Sequence, residues 1–179
     1  MKQTRNRPAD GWANRGMGFE GVLNDLHALY RAMGRALITK QYPPAVIVSH
    51  DYRGNLAKVT GRATVDYTGC VRGRAIAFDA KDCAEKRIAL DRLERHQLDY
   101  LIDTERTGGV GFVLARFERR RCYIIPALCW AAAVEAHANG HIETVRGWTP
   151  TGRASISESD LPTEWAVDGV DWLDKLREV

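Results

Sequence analysis

The residues with chemistry to offer lie between Thr64 and Lys81: Thr64-Val65-Asp66-Tyr67-Thr68-Gly69, a short basic turn, then Ala75-Ile76-Ala77-Phe78-Asp79-Ala80-Lys81. The two segments read as strands joined by a tight connection. The second is apolar on both faces up to Phe78 and again at Ala80, the pattern of a buried central strand. Asp79 and Lys81 interrupt it. Side chains alternate across a strand, so these residues share one face. Asp66 closes the preceding strand and could sit beside them. Burying such charges unpaired costs several kcal/mol, comparable with the net stability of a domain. A divalent metal supplies a reason for the cluster.

An Asp followed after a gap by Asp-x-Lys is the pattern of a metal-dependent nuclease. The carboxylates of Asp66 and Asp79 and the backbone carbonyl of Ala80 are the hard oxygen ligands that Mg2+ prefers. Such a metal lowers the pKa of a bound water and stabilises charge on a scissile phosphate. Lys81 could orient or deprotonate that water, or neutralise the phosphoryl oxygens. The same residues also read as a strand-end salt bridge of Asp79 or Asp66 with Lys81.

The rest of the chain supplies elements to hold this cluster. Phe19, Val22, Leu23, Leu26, Leu29, Tyr30 and Met33 recur at helical spacing, so a helix from about Asn14 to Met33 packs one face into a core and stops at Gly34. Glu20 lies in its first turns, either as a dipole-compensating acid or as a third carboxylate for the metal. Strands follow over Arg35–Lys40 and Ala45–Ser49, with Pro43-Pro44 between them. His50 to Gly61 is polar and reads as a projecting, basic, solvent-exposed hairpin across Arg53-Gly54-Asn55. A charged connection over Asp82–Arg92 leads to a helix from about Leu90 to Thr104, which carries His96 and Gln97. Val110–Phe117 and Cys122–Ile125 read as buried strands joined by the basic turn Glu118-Arg119-Arg120-Arg121. Pro126 opens a last long helix. Beyond His141 the chain reads as loops and a short final helix placing Trp165 and Trp172 on the body. The fold class is therefore α/β, a mixed sheet covered by helices. The division is a flexible basic arm over 1–13, a main domain over 14–135 and a C-terminal extension over 136–179 packing on it.

With 179 residues, 45% apolar and 27% charged, the chain has the composition of a soluble globular domain. A net charge of +3 and a pI near 8.7 permit nucleic-acid binding without demanding it. There is no apolar run long enough for a membrane span and no hydrophobic leader. Cys70, Cys83, Cys122 and Cys129 form no CxxC pair and read as reduced thiols of a cytoplasmic protein.

Taken together, several segments resemble the RecU-type Holliday-junction resolvases. They are Asn14-Arg15-Gly16-Met17-x-Phe19-Glu20, Pro43-Pro44 with Val46-Ile47-Val48, Thr64-Val65-Asp66-Tyr67-x-Gly69, Phe78-Asp79-Ala80-Lys81, His96-Gln97 and Gly108-Gly109-Val110-Gly111-Phe112. Their order and approximate spacing match, and coverage runs from about Asn14 to Trp130. The resemblance implies a restriction-endonuclease-like fold in a homodimer, with each subunit nicking one strand of a four-way DNA junction in recombination and repair. It implies Asp66 and Asp79 as ligands of Mg2+ (or of Mn2+ in its place), Lys81 as the catalytic lysine and Glu20 as the acid from the first helix. It also implies Gln97 as a site residue and Thr64 as the hydroxyl before the first acid.

Two departures stand out. The family usually has Glu where this chain has Asp79. The family's basic stalk, which enters the junction centre, is shortened here over His50–Gly61. The shorter stalk leaves open a related nuclease acting on flaps, forks or duplex DNA. A non-catalytic branched-DNA-binding accessory protein is the alternative from another class. Phosphate contacts are expected from Arg53, Lys58, Arg62, Arg72, Arg74, Lys86, Arg87 and the N-terminal arm. The acids of the tail would offset this basic surface elsewhere.

Overall fold

The computed structural model describes the backbone of residues 14–51 and 54–177, and the side chains of residues 18–49 and 57–176. The expected arm over 1–13 and Arg53 lie outside the described residues. In chain order the main elements are α1 (Asn14–Ala32), β1 (Leu37–Lys40), β2 (Ala45–Asp51), β3 (Gly54–Val59), β4 (Tyr67–Val71), β5 (Arg74–Asp82) and β6 (Arg87–Ala89). They continue with α2 (Arg95–Arg106), β7 (Val110–Phe117), β8 (Arg121–Pro126), α3 (Ala127–Asn139), β9 (Ser155–Ser157) and β10 (Ala166–Val167). Short 3-10 helices lie between them, the last at Trp172–Arg177.

The main sheet has the order β1-β4-β5-β7-β8-β10. β5 and β7 run parallel in its centre and every other pair is antiparallel, so the sheet is mixed. This is the α/β arrangement with flanking helices that the sequence pattern implied. The even-numbered residues of β5, Ile76 and Phe78, face a core with Phe19, Leu23, Phe112 and Trp172. The odd-numbered Ala77 faces a second core with Leu98, Leu101, Val113 and Trp130. The run that is apolar on both faces is thus explained by a core on each side of one sheet. α2 lies so close to β7 that a Cβ on Gly111 would stand 2.1 Å from the Leu101 carbonyl oxygen.

Several sequence expectations are corrected. The buried stripe of α1 is narrower than read: Phe19, Leu23, His27 and Tyr30 are buried, whereas Val22, Leu29 and Met33 are 43%, 53% and 60% exposed. The helix packs on the sheet along one line, and the apolar residues to either side of that line stay in solvent. The helix expected from Leu90 begins at Arg95, because Glu94 and Gln97 form a capping box that starts it there. The first of the two site strands begins at Tyr67 rather than Thr64, which leaves Asp66 one residue ahead of the strand.

The connection after Asp82 and the tail, both read as loops, contain strands: β6 pairs with β9, and β10 adds an edge to the main sheet beside β8. The hairpin β2–β3 forms a separate two-stranded sheet. Its surface is apolar as well as basic, since Val46, Ile47, Val48 and Val59 are exposed.

The tail packs into both cores through Trp148, Trp165 and Trp172. Some of its acids are held in ion pairs with arginines. Asp171 and Asp174 take Arg35, and buried Glu158 takes Arg121. The four cysteines are free thiols; burial pushes Cys122 up to about 11 and Cys129 up to about 12. Among the described residues no helix is long and apolar enough to cross a membrane.

Candidate active site

β4 and β5 are antiparallel with Tyr67 opposite Phe78, so the next residues outward, Asp66 and Asp79, meet at the end of the pair. Asp66 Oδ2 accepts the backbone N–H of Ala80 at 2.9 Å. That bond fixes the first carboxylate against the strand carrying the second. Asp79 and Lys81 share the face of β5 that looks toward α2, as strand alternation requires. The Asp79 side chain is fully buried, and its Oδ2 lies against the Lys81 ammonium in an ion pair. That oxygen takes no hydrogen bond of normal geometry. Its Oδ1 accepts from Gln97 Nε2 at 2.7 Å. Gln97 is the N3 residue of α2, and its Oε1 accepts the Glu94 backbone N–H at 2.9 Å. The helix cap therefore sets which way the amide points.

Electrostatics follow from this packing. Burial pushes Asp79 up to about 6, with the Asp66 charge adding to the rise and the Lys81 charge opposing it. Two carboxylates held together, one with a buried oxygen short of a hydrogen bond, fit a hard divalent cation. Among the described residues, no three His, Cys, Asp or Glu side chains gather as a metal cluster. The carboxylates that meet at this strand end are Asp66 and Asp79.

Glu20 reaches this end of the sheet from the α1 face, where it is engaged by Lys40 of β1 at 2.5 Å. It is not drawn into the Asp66–Asp79 pair. Its charge is nonetheless close: Glu20 and Asp66 both help raise the Tyr67 phenol, which burial raises most. The Glu20 hydrogen bond is also the largest cause of the raised Lys40 ammonium, to whose rise Asp66 adds. Thr64 is exposed in the bend two residues before Asp66.

The expected phosphate contacts scatter. Arg62 is exposed and pairs with Glu94, and Lys58 is exposed on β3. Lys86 and Arg87 are exposed beyond the end of β5, with Lys86 3.9 Å from Glu118. Arg72 and Arg74 sit at the opposite end of β5 from Asp79, five residues or roughly 17 Å along the strand.

Sequence reasoning missed Lys40, Glu94 and the Arg116–Asp82 pair. The last closes the β5–β7 ends through two bonds of 2.7 and 2.8 Å. Glu94-x-x-Gln97 departs from the usual Ser/Thr-x-x-Glu/Gln pattern of a capping box; the other two contacts depend on the packing of distant segments.

A mixed α/β sheet with an acid and a lysine on a central strand, met by a second acid just ahead of the neighbouring strand, is the arrangement of the nucleases that work with a divalent metal. Within that class, the chain belongs to the RecU family, Recombination protein U, whose family model matches residues 14–147. The Holliday junction resolvase RecU of Streptococcus gordonii is 33% identical over 135 residues, covering 71% of this chain and 67% of its own. That of Streptococcus sanguinis is 34% identical over 137 residues, covering 70% and 68%. The chain spans about two thirds of the length of these relatives. Among solved structures, the Holliday junction resolvase Hjc of Archaeoglobus fulgidus is a distant likeness. It has 13% identity and a TM-score of 0.43 over 79% of this chain and 89% of its own.

Proposed function

We propose that this chain is a Mg2+-dependent endonuclease that resolves four-way DNA junctions by paired nicks, acting as a homodimer on branched DNA in the cytoplasm. The observation that carries this reading is the Asp66–Asp79–Lys81–Gln97 constellation at the end of β4 and β5 in a chain of the RecU family.

Asp66, Asp79 and the Ala80 carbonyl would hold the cation, which supplies charge neutralisation at the phosphate and a water of lowered pKa. The protein's own residues do the rest. The Ala80 N–H holds Asp66 in place, and the Gln97 amide holds Asp79. Lys81 offers a cation on the same face as Asp79, where it can neutralise a phosphoryl oxygen or orient a water. Glu20 and Lys40 form a charge pair at the rim that can exchange partners when a phosphate approaches. The surrounding core excludes bulk water from one side of the site, which strengthens each of these interactions.

The test is cleavage of a labelled immobile four-way junction, with a matched linear duplex alongside, in Mg2+ and in EDTA. Symmetric metal-dependent nicks on the junction, lost in Asp79→Asn while junction binding persists, are expected. Equal cutting of the duplex would move the substrate from junctions to DNA in general. Wild-type cutting by Asp79→Asn would remove the site assignment.

A further inference from the structure

At the far end of β5 from Asp79, a cavity of about 650 Å³ opens beside the β4–β5 turn, the end of α1 and the last 3-10 helix. Its floor is aliphatic, built from Ile76, Val110 and Leu173, and its charged wall carries Arg35, Arg72 and Arg74 together with the carboxylate of Asp174. Arg35 is offset by Asp171 at 3.4 Å and Asp174 at 3.0 Å. Arg72 and Arg74 have no carboxylate partner among the described residues; Arg74 reaches the Gly109 carbonyl at 3.4 Å.

Arg72 is also a poor choice for its place. Val71 pairs with Arg74 across the two-residue turn Arg72-Gly73, whose φ values are 50° and 82°. Turns with positive φ at both positions favour Asn-Gly, and a long side chain there is disfavoured. The turn itself gives no reason for a guanidinium, whereas the cavity does.

We propose that this cavity docks an acidic peptide segment of a partner protein. An aliphatic side chain would fill the floor, with neighbouring carboxylates on Arg72 and Arg74. Guanidinium forks pair with carboxylates through two parallel hydrogen bonds. A concave, half-apolar site with a few convergent charges is the form that buries such a ligand. A DNA strand is the competing polyanion. It uses cations on open grooves together with aromatic rings for its bases, and this cavity has an aliphatic floor and no aromatic lining.

Fluorescence anisotropy tests this, using a fluorescein-labelled short peptide alternating Asp and Leu, in low salt without DNA or metal. Wild-type protein should bind it saturably. Arg72→Asn and Arg74→Gln should each weaken binding about tenfold or more, and added salt should weaken it further. A Lys–Leu peptide of equal length should not bind. Arg72→Asn eases the turn, so thermal melting should show a variant at least as stable as wild type, and loss of binding then reports the guanidinium. No binding by wild type, or undiminished binding by both variants, overturns the proposal. It is also overturned if a short duplex displaces the peptide and both variants lose duplex affinity to the same degree, because the guanidiniums are then DNA contacts. No readout involves cleavage, so the outcome is separate from that of the nuclease reading.

Discussion

Gln97 donates from Nε2 to Asp79 Oδ1 across 2.7 Å while its Oε1 is held by the Glu94 backbone N–H. One side chain thus closes the start of α2 and positions a buried carboxylate. The two roles can be separated. Gln97→Ala removes both, costing about 1 kcal/mol of stability through the lost cap and lowering kcat/KM about tenfold or more through a loosened Asp79. Gln97→Glu keeps a capping-box residue but turns a carboxylate toward Asp79. It should therefore cleave poorly and melt below wild type at neutral pH, recovering toward wild type as pH falls and one of the two carboxyls takes up a proton. Thermal melting and steady-state junction cleavage check both variants, and a wild-type rate for Gln97→Glu would show that the amide serves the cap alone.

Asp79 makes a pH prediction of its own. Its folded value of about 6 lies above the ordinary 3.8 because of burial. Between those values the folded protein holds a proton that the unfolded chain has released. Stability therefore falls as pH rises through this window, by about 3 kcal/mol in all, and stays reduced above it. Asp79→Asn has no such charge. In EDTA, its stability relative to wild type should rise by about that amount from acid to neutral pH, a shift of several degrees in a chain of this length. A relative stability flat with pH would show that Asp79 is not strained by burial. Added Mg2+ should then raise the melting temperature of wild type and not that of the variant.

Much of this site was legible because strand alternation and residue type are local. Asp79 and Lys81 on one face of a central strand follow from spacing alone, whereas the meeting of Asp66 with Asp79 needed the register of β4 on β5. The α/β class follows in the same way from apolar runs alternating with helical patterns. What escaped depends on packing between distant segments. Val22, Leu29 and Met33 fit a helical stripe as well as Phe19 and Leu23 do, and only the single line of contact with the sheet decides which are buried. Nothing local tells Glu20 to meet Lys40, since that contact needs α1 to lie against β1. The β6–β9 pairing joins segments nearly seventy residues apart whose sequences are polar and short.

The close approach of α2 to β7 is a second way to disturb the site without touching it. Gly111→Ala would place a methyl 2.1 Å from the Leu101 carbonyl oxygen, so the helix must move off the sheet. This should cost about 1–3 kcal/mol and, because Gln97 rides on that helix, reduce cleavage as well. Gly21→Ala in α1 is the control: nothing lies within 4 Å of its added Cβ, and the change should stabilise by about 0.5–1 kcal/mol. Urea unfolding of both variants distinguishes a clash from a general intolerance of alanine.

His27 gives the acid-side counterpart to Asp79. It is buried among Tyr30, Tyr67, Phe78 and Trp172, and its Nε2 accepts the Trp172 indole N–H at 3.3 Å. That bond requires the neutral ring, with its proton on Nδ1. Burial lowers the group to about 4 from the ordinary 6.5. Below the ordinary value the unfolded chain takes up a proton that the folded ring refuses. Stability contributed by the neutral ring is therefore complete above the ordinary value and lost as pH falls through the window, by about 3 kcal/mol at its end. The Asp79 effect runs the other way over much of the same range, so wild-type stability should vary with pH less than either group alone would make it. Only the variants uncover the two slopes. His27→Gln, which keeps an acceptor near Trp172, should flatten the acid loss, so that urea midpoints of the variant approach those of wild type as pH falls. In Asp79→Asn the acid loss should stand out more steeply than in wild type. If His27→Gln leaves the acid limb unchanged, the histidine carries its proton within the folded core and the Trp172 bond is not what anchors the tail there.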